Sequence, residues 1–85
     1  MLRISVDNLS DEAATLRLEG RVVGPLVEEA RASSEQHLAA GCRLTLDLAE
    51  VTFADREGIA LLRELMQRQV SFINCSPFMA EQLKN

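Results

Sequence analysis

The sequence predicts a single α/β domain, residues 1–85, in the order β-β-α-β-α-β-α, with a mostly parallel four-stranded sheet and an antiparallel edge strand. Three observations predict it. Two apolar/polar alternations stand close together at the N-terminus, with the two-residue period of half-buried strands. Two apolar periodicities of three and four residues follow, each leading into a further short apolar run. Glycine or proline marks the breaks between them, at Gly20, Gly24-Pro25, Gly41 and Ser76-Pro77.

The first alternation is "LRISV", which sets Leu2, Ile4 and Val6 on a buried face against Arg3, Ser5 and Asp7. "NLSDEA" is a polar turn, and "ATLRLEG" alternates again through Ala14, Leu16 and Leu18, so the two strands read as an antiparallel hairpin. Pro25 suits a first helical turn. Leu26, Val27, Ala30, Ser34 and Leu38 then form one apolar stripe. Glu28 and Glu29 complement the helix dipole at its start, and Gly41 ends it. The third strand is expected over Arg43 to Leu48. The second helix is expected from near Glu57, with Ile59, Leu62 and Met66 on one core line and Leu61 and Leu65 beside it. Glu64 and Arg68 read as an i, i+4 ion pair on its wet side. Adjacent Phe72 and Ile73 in "VSFINC" predict a more fully buried parallel strand. Ser76 caps and Pro77 opens the last helix, which runs to Leu83.

Composition narrows the function. Hydrophobic residues at 47% and charged residues at 26% are those of an ordinary globular domain, and no basic leader or apolar run of ~18 residues marks secretion or a membrane span. The expected compartment is the cytoplasm. A net charge of −4 with scattered basic residues argues against a nucleic-acid surface, and the absence of Trp and Tyr leaves little for bases to stack on. Cys42 and Cys75 lie outside any metal-ligand spacing, and one His cannot complete a zinc site, so two free thiols, no metal and no cofactor are expected. Cys75 precedes a helix start, which lowers a thiol pKa, but a cysteine at a strand end is more simply a small buried hydrophobe. His37 reads as a boundary residue, and Met66 and Met79 as core.

The stretch carrying most information is Asp55-Arg56-Glu57-Gly58, between the third strand and the second helix. Read locally it is a helix start: Asp55 caps, Glu57 complements the dipole and Gly58 is a close packing point. It also lies at the C-terminal end of a parallel strand, where α/β sheets meet ligands and partners. Asp47, Glu50, Asp55 and Glu57 suggest a magnesium or phospho-acceptor site. A receiver, however, needs an acidic pair after the first parallel strand and a nearby Lys, whereas the second strand ends in Glu19-Gly20 and the only Lys is Lys84. No G-x-S-x-G elbow is present and the lone His has no matched nucleophile, so no enzyme is expected. Asp47 faces opposite to its neighbouring leucines and is either solvated or satisfied by backbone donors.

Leu46-Asp47-Leu48, Val51, Phe53, Asp55, Gly58 and Leu61-Leu62 follow in a fixed order, with Gly20 after the second strand and "INCSPFMAEQL" near the end. This set resembles STAS domains, named for sulfate transporters and anti-sigma-factor antagonists, over almost the whole chain. The resemblance implies a STAS-like fold and a bacterial, non-catalytic module that binds a protein in signal transduction and transcription regulation. In the antagonists the tetrad reads Asp-Ser-Ser-Gly, and the second Ser is phosphorylated by a partner kinase that is also the anti-sigma factor. Here those positions are Arg56 and Glu57, so the family phosphosite position, Glu57, has no hydroxyl. Glu57 carries one negative charge where a phosphoserine carries about −1.5 to −2. Val23 stands about where related antagonists often have an acidic residue.

The resemblance, with the exposed helix end, places partner contacts on Asp55, Arg56, Glu57 and Gly58, and on Arg63, Glu64 and Gln67 of the second helix. The partner it implies is an anti-sigma-factor kinase. The alternative is the ATPase of a bacterial lipid-transport ABC system, which small STAS subunits dock on without being phosphorylated. Family members usually add a further strand and helix, and "VSFIN" carries little charge to protect a free edge. Cover of that edge by a second copy or a partner is therefore expected.

Overall fold

The computed structural model describes residues 1–84, which form β1 (Leu2–Leu9), β2 (Ala13–Val22), α1 (Pro25–Ala39), β3 (Arg43–Ala54), α2 (Arg56–Gln67), β4 (Ser71–Ile73) and α3 (Pro77–Lys84). The element order is the expected one. The strands lie side by side as β1-β2-β3-β4, with β1 antiparallel to β2 and the other pairs parallel. Both crossovers step towards β4, and α1 and α2 meet through ion pairs, which places the two helices on the same face of the sheet as the right-handed crossover rule expects. Burial follows: Ala14, Leu16 and Leu18 of β2 and Leu44, Leu46 and Leu48 of β3 share one core with Leu61, Leu62 and Leu65 of α2.

Several expectations change in three dimensions. β3 does not stop at Leu48 but runs to Ala54, with Glu50, Val51 and Phe53 in register with Glu19, Gly20 and Arg21 of β2. Its second half reads as a connection because one side is exposed and polar. β4 is only three residues long, at the sheet edge, with Ser71 and Ile73 exposed, so it is not the more fully buried strand expected. Helices cover one face of the sheet only, which leaves Ile73 on the open side. Val6 is also exposed, where the β1–β2 register shifts between Val6 and Asn8. Met66 is 43% exposed rather than core.

The Glu64–Arg68 pair does not form. Glu64 pairs with Arg31 and Arg68 with Glu35, both on α1, so the two side chains clasp neighbouring helices together. These pairs are half-exposed, and each contributes on the order of 0.5 kcal/mol.

Helix ends follow their local chemistry. Gly41, at φ 85°, donates its N–H to the Leu38 carbonyl at 3.0 Å, and Cys42 donates to His37 at 3.1 Å, closing α1 in a Schellman turn. α2 closes the same way, but with Gln69 in the left-handed position at φ 67°. That conformation costs a side-chain-bearing residue about 1–2 kcal/mol, against about 0.5–1 kcal/mol of extra unfolded-state entropy for glycine. Gln69→Gly is therefore expected to stabilise the domain by about 0.5–1 kcal/mol, read from the urea midpoint at unchanged slope.

Candidate functional site at the start of α2

Asp55 holds the site together. One carboxylate oxygen accepts from the Gly58 N–H at 2.8 Å, capping α2, and the other accepts from the Gly24 N–H at 3.0 Å, pinning the β2–α1 turn. The Asp55 N–H donates to the Val22 carbonyl at 3.3 Å. The Gly58 donor first, then the Gly24 donor, hold the Asp55 carboxyl below the usual carboxylate range. Gly58 is buried, and a Cβ there lies 2.2 Å from the Val22 carbonyl oxygen and 3.2 Å from the Ala54 Cβ. Glycine is thus what lets α2 start flush against the end of β2.

Two of the tetrad's four residues are therefore committed internally. The other two, Arg56 and Glu57, are exposed, and neither forms an ion pair among the described residues. Successive residues leave a helix about 100° apart, so the two side chains diverge. Glu57 stands on the α1 side of the exposed arc with Glu64, which Arg31 engages. Arg56, Ala60, Arg63 and Gln67 stand on the α3 side. Arg63 is half-buried and donates to the Gln82 carbonyl of α3 at 3.4 Å, while its Nε is buried with no partner. Between α2 and α3 lies a cleft of about 610 Å³, bordered by Asp55, Arg56, Ile59, Arg63, Glu81 and Gln82.

The family profile described as "Mlab, STAS domain" matches residues 5–84. The chain belongs to the STAS family. A solved structure of the anti-sigma factor antagonist SpoIIAA, in its unphosphorylated form, is similar with a TM-score of 0.74 at 21% identity, over 93% of this chain and 79% of that one. At that identity the likeness is one of fold. No curated protein matches the sequence.

STAS domains are binding domains, and the acidic residues of this one do not gather into a reaction centre. Asp47 is 4% exposed on the sheet face away from the helices. Its Oδ1 accepts from the Ala49 N–H at 3.0 Å and from the Asn74 side chain at 3.1 Å, and Arg17 Nε lies 3.8 Å from Oδ2. The Ala49 and Asn74 donors, with a smaller part from the Arg17 charge, hold its carboxyl below the usual range despite burial. Asp47 is satisfied, not solvated. Among the described residues no three His, Cys, Asp or Glu side chains converge as metal ligands.

Both cysteines of this STAS domain are free thiols. Burial pushes the Cys75 thiol up, the opposite of what a reactive cysteine needs. The contribution of α3 to the site is what sequence reading misses. Arg56 and Arg63, two turns apart on α2, are the only local sign of it, because no pattern within α2 shows which helix stands beside it.

Proposed function

We propose that this STAS domain is a non-catalytic regulatory module of the anti-sigma-factor-antagonist type, with Glu57 in place of the phosphorylated serine. It binds an anti-sigma-factor kinase in the bacterial cytoplasm through the start and exposed arc of α2. Arg56 and Glu57 lead the contact, Arg63, Glu64 and Gln67 extend it, and the backbone at Asp55 and Gly58 forms its rim. The observation that carries this reading is the division of the tetrad. Asp55 and Gly58 fix the helix start from within, while Arg56 and Glu57 face outward with no ion pair among the described residues. Glu57 supplies a fixed charge at a helix N-terminus, where the dipole favours it.

A second reading is docking on the ATPase of a lipid-transport ABC system. It is favoured by the lack of any hydroxyl from residue 55 to residue 58, which removes the switch but not the surface. Affinity capture from a lysate of the source organism, comparing wild type with Glu57→Ser and identifying bound proteins by mass, separates the two. A histidine-kinase-like anti-sigma protein whose binding or phosphorylation changes with the serine supports the first reading. An ABC ATPase held equally by both forms replaces it with the second. In either case the exposed β4 edge offers unpaired backbone groups to a second copy of the chain. Sedimentation velocity showing monomer from low to high concentration removes that dimer.

A further inference from the structure

β1 is the outermost strand of the sheet, so its far edge has no strand beside it. It is eight residues long, against three for β4 at the opposite edge, and it carries neither Lys nor Pro to blunt that edge. The pairing with β2 fixes which backbone groups are free. The Arg21 N–H donates to the Met1 carbonyl, and Arg3 and Ser5 follow in the same register, so Met1, Arg3 and Ser5 turn their backbone groups to β2. Leu2, Ile4 and Val6 turn theirs outward. The extra residue between Val6 and Asn8 then reverses the alternation. Ser10 donates to the Ala13 carbonyl and Asn8 stands opposite Thr15, which leaves Leu9 as the next residue with outward groups.

The same residues carry apolar side chains. Ile4 and Val6 stand opposite Leu18 and Leu16, and Leu9 opposite Ala14, all core residues, so this row lies on the helix side of the sheet. α1 lies against β1 but does not cover the row: Val6 is 50% and Leu9 62% exposed. On the open side, Arg3 stands across from Glu19 and Ser5 across from Arg17. Arg3 and Asp7 are both exposed, and neither forms an ion pair among the described residues.

We propose that β1 pairs antiparallel with β1 of a second copy of the chain, about a two-fold axis at Ser5, joining the two four-stranded sheets into one. The strand's own pattern selects this register. On the helix side it sets Ile4 against Val6 of the second copy and, past the extra residue, Leu2 against Leu9 of the second copy. Each of these residues has outward backbone groups, and exposed apolar side chains are covered by apolar ones. On the open side it sets Arg3 against Asp7 of the second copy, and the axis repeats every contact. A slip of two residues either way keeps the backbone bonding but separates Arg3 from Asp7. Charges on an edge strand ordinarily keep copies apart. Here they are opposite in sign and equally spaced about Ser5, so they attract. α2 pairs with the far side of α1, which leaves the proposed partner face free, and the dimer stands apart from the reading of that face.

The test is sedimentation velocity of wild type, Arg3→Asp, Asp7→Arg and the double variant Arg3→Asp/Asp7→Arg, with hydrogen exchange followed on the wild type at low and high concentration. A contact one strand wide gives a dimer that dissociates at about 10–100 μM, so the range runs from about 5 to about 500 μM. Each single reversal sets like charges opposite one another twice in the dimer and is expected to weaken it about tenfold or more, and the double variant restores it. Glu19 faces the third residue in the single and double variants alike, so it cannot produce that recovery. The Ile4 and Val6 amides gain protection as concentration rises, and those of Ser71 to Ile73 do not. Monomer throughout the range, a dimer indifferent to the single reversals, or no recovery in the double variant overturns the proposal. Protection gained at β4 and not at β1 also overturns it, and leaves the β4 edge as the contact.

Discussion

Gly58→Ala is expected to lower the unfolding free energy by about 2–3 kcal/mol, measured by urea denaturation. The added methyl lands 2.2 Å from the Val22 carbonyl oxygen, a backbone atom at the end of a paired strand that cannot rotate away. Alanine's helix propensity works in the opposite direction, by about 1 kcal/mol, and is too small to offset the clash. Relief comes from moving the first turn of α2 off β2, which lengthens the bonds from Gly58 and Gly24 to the Asp55 carboxylate. Arg56 and Glu57 ride on that turn, so binding through the proposed partner face is expected to weaken with stability. An unchanged urea midpoint contradicts the close approach of α2 to β2.

Asp47→Ala is expected to cost about 3 kcal/mol. The substitution takes the acceptor from the Ala49 N–H and the Asn74 side chain at once, and leaves the buried Arg17 Nε without its nearby negative charge. Asn74 sits in the left-handed region at φ 58°, between the three-residue β4 and α3, so the loss falls on the most weakly paired part of the sheet. Hydrogen exchange is expected to rise first in β4 and α3.

The same carboxylates set the acid limb of stability. Both Asp47 and Asp55 have folded-state pKa values below the ordinary 3.8, so each binds its proton less readily in the folded than in the unfolded state. Their stabilisation is complete above 3.8 and is lost as pH falls through the lowered folded values. Stability is thus expected to hold level from neutral pH down to about 5 and then to fall, with Asp47→Asn flattening the fall. A pH-independent midpoint down to pH about 2 contradicts this.

What could be read from the sequence was what one element reveals about itself. The alternation Leu44, Leu46, Leu48 gives the buried face of β3, Gly41 ends α1, and Asp55 caps α2. What could not be read depends on a neighbouring element. Glu64 and Arg68 have the spacing of an intrahelical pair, but α1 supplies closer partners. Met66 belongs to the apolar stripe by period, yet it lies at the edge of the buried arc, where α2 meets α3. The largely exposed second half of β3 looks like a loop until β2 is seen beside it. For the site the division is the same: the tetrad's capping and its outward pair were legible, and the α3 wall was not.

Partner binding at the start of α2 is tested most directly by quantitative affinity capture with three forms of the domain: wild type, Arg56→Ala/Glu57→Ala, and Asp11→Ala at an exposed turn on the hairpin. The expected result is a single protein partner held by wild type and Asp11→Ala and reduced about tenfold or more by the double substitution, whose thermal midpoint stays at the wild-type value. The same partner recovered at equal yield with all three forms contradicts a binding face at Arg56 and Glu57.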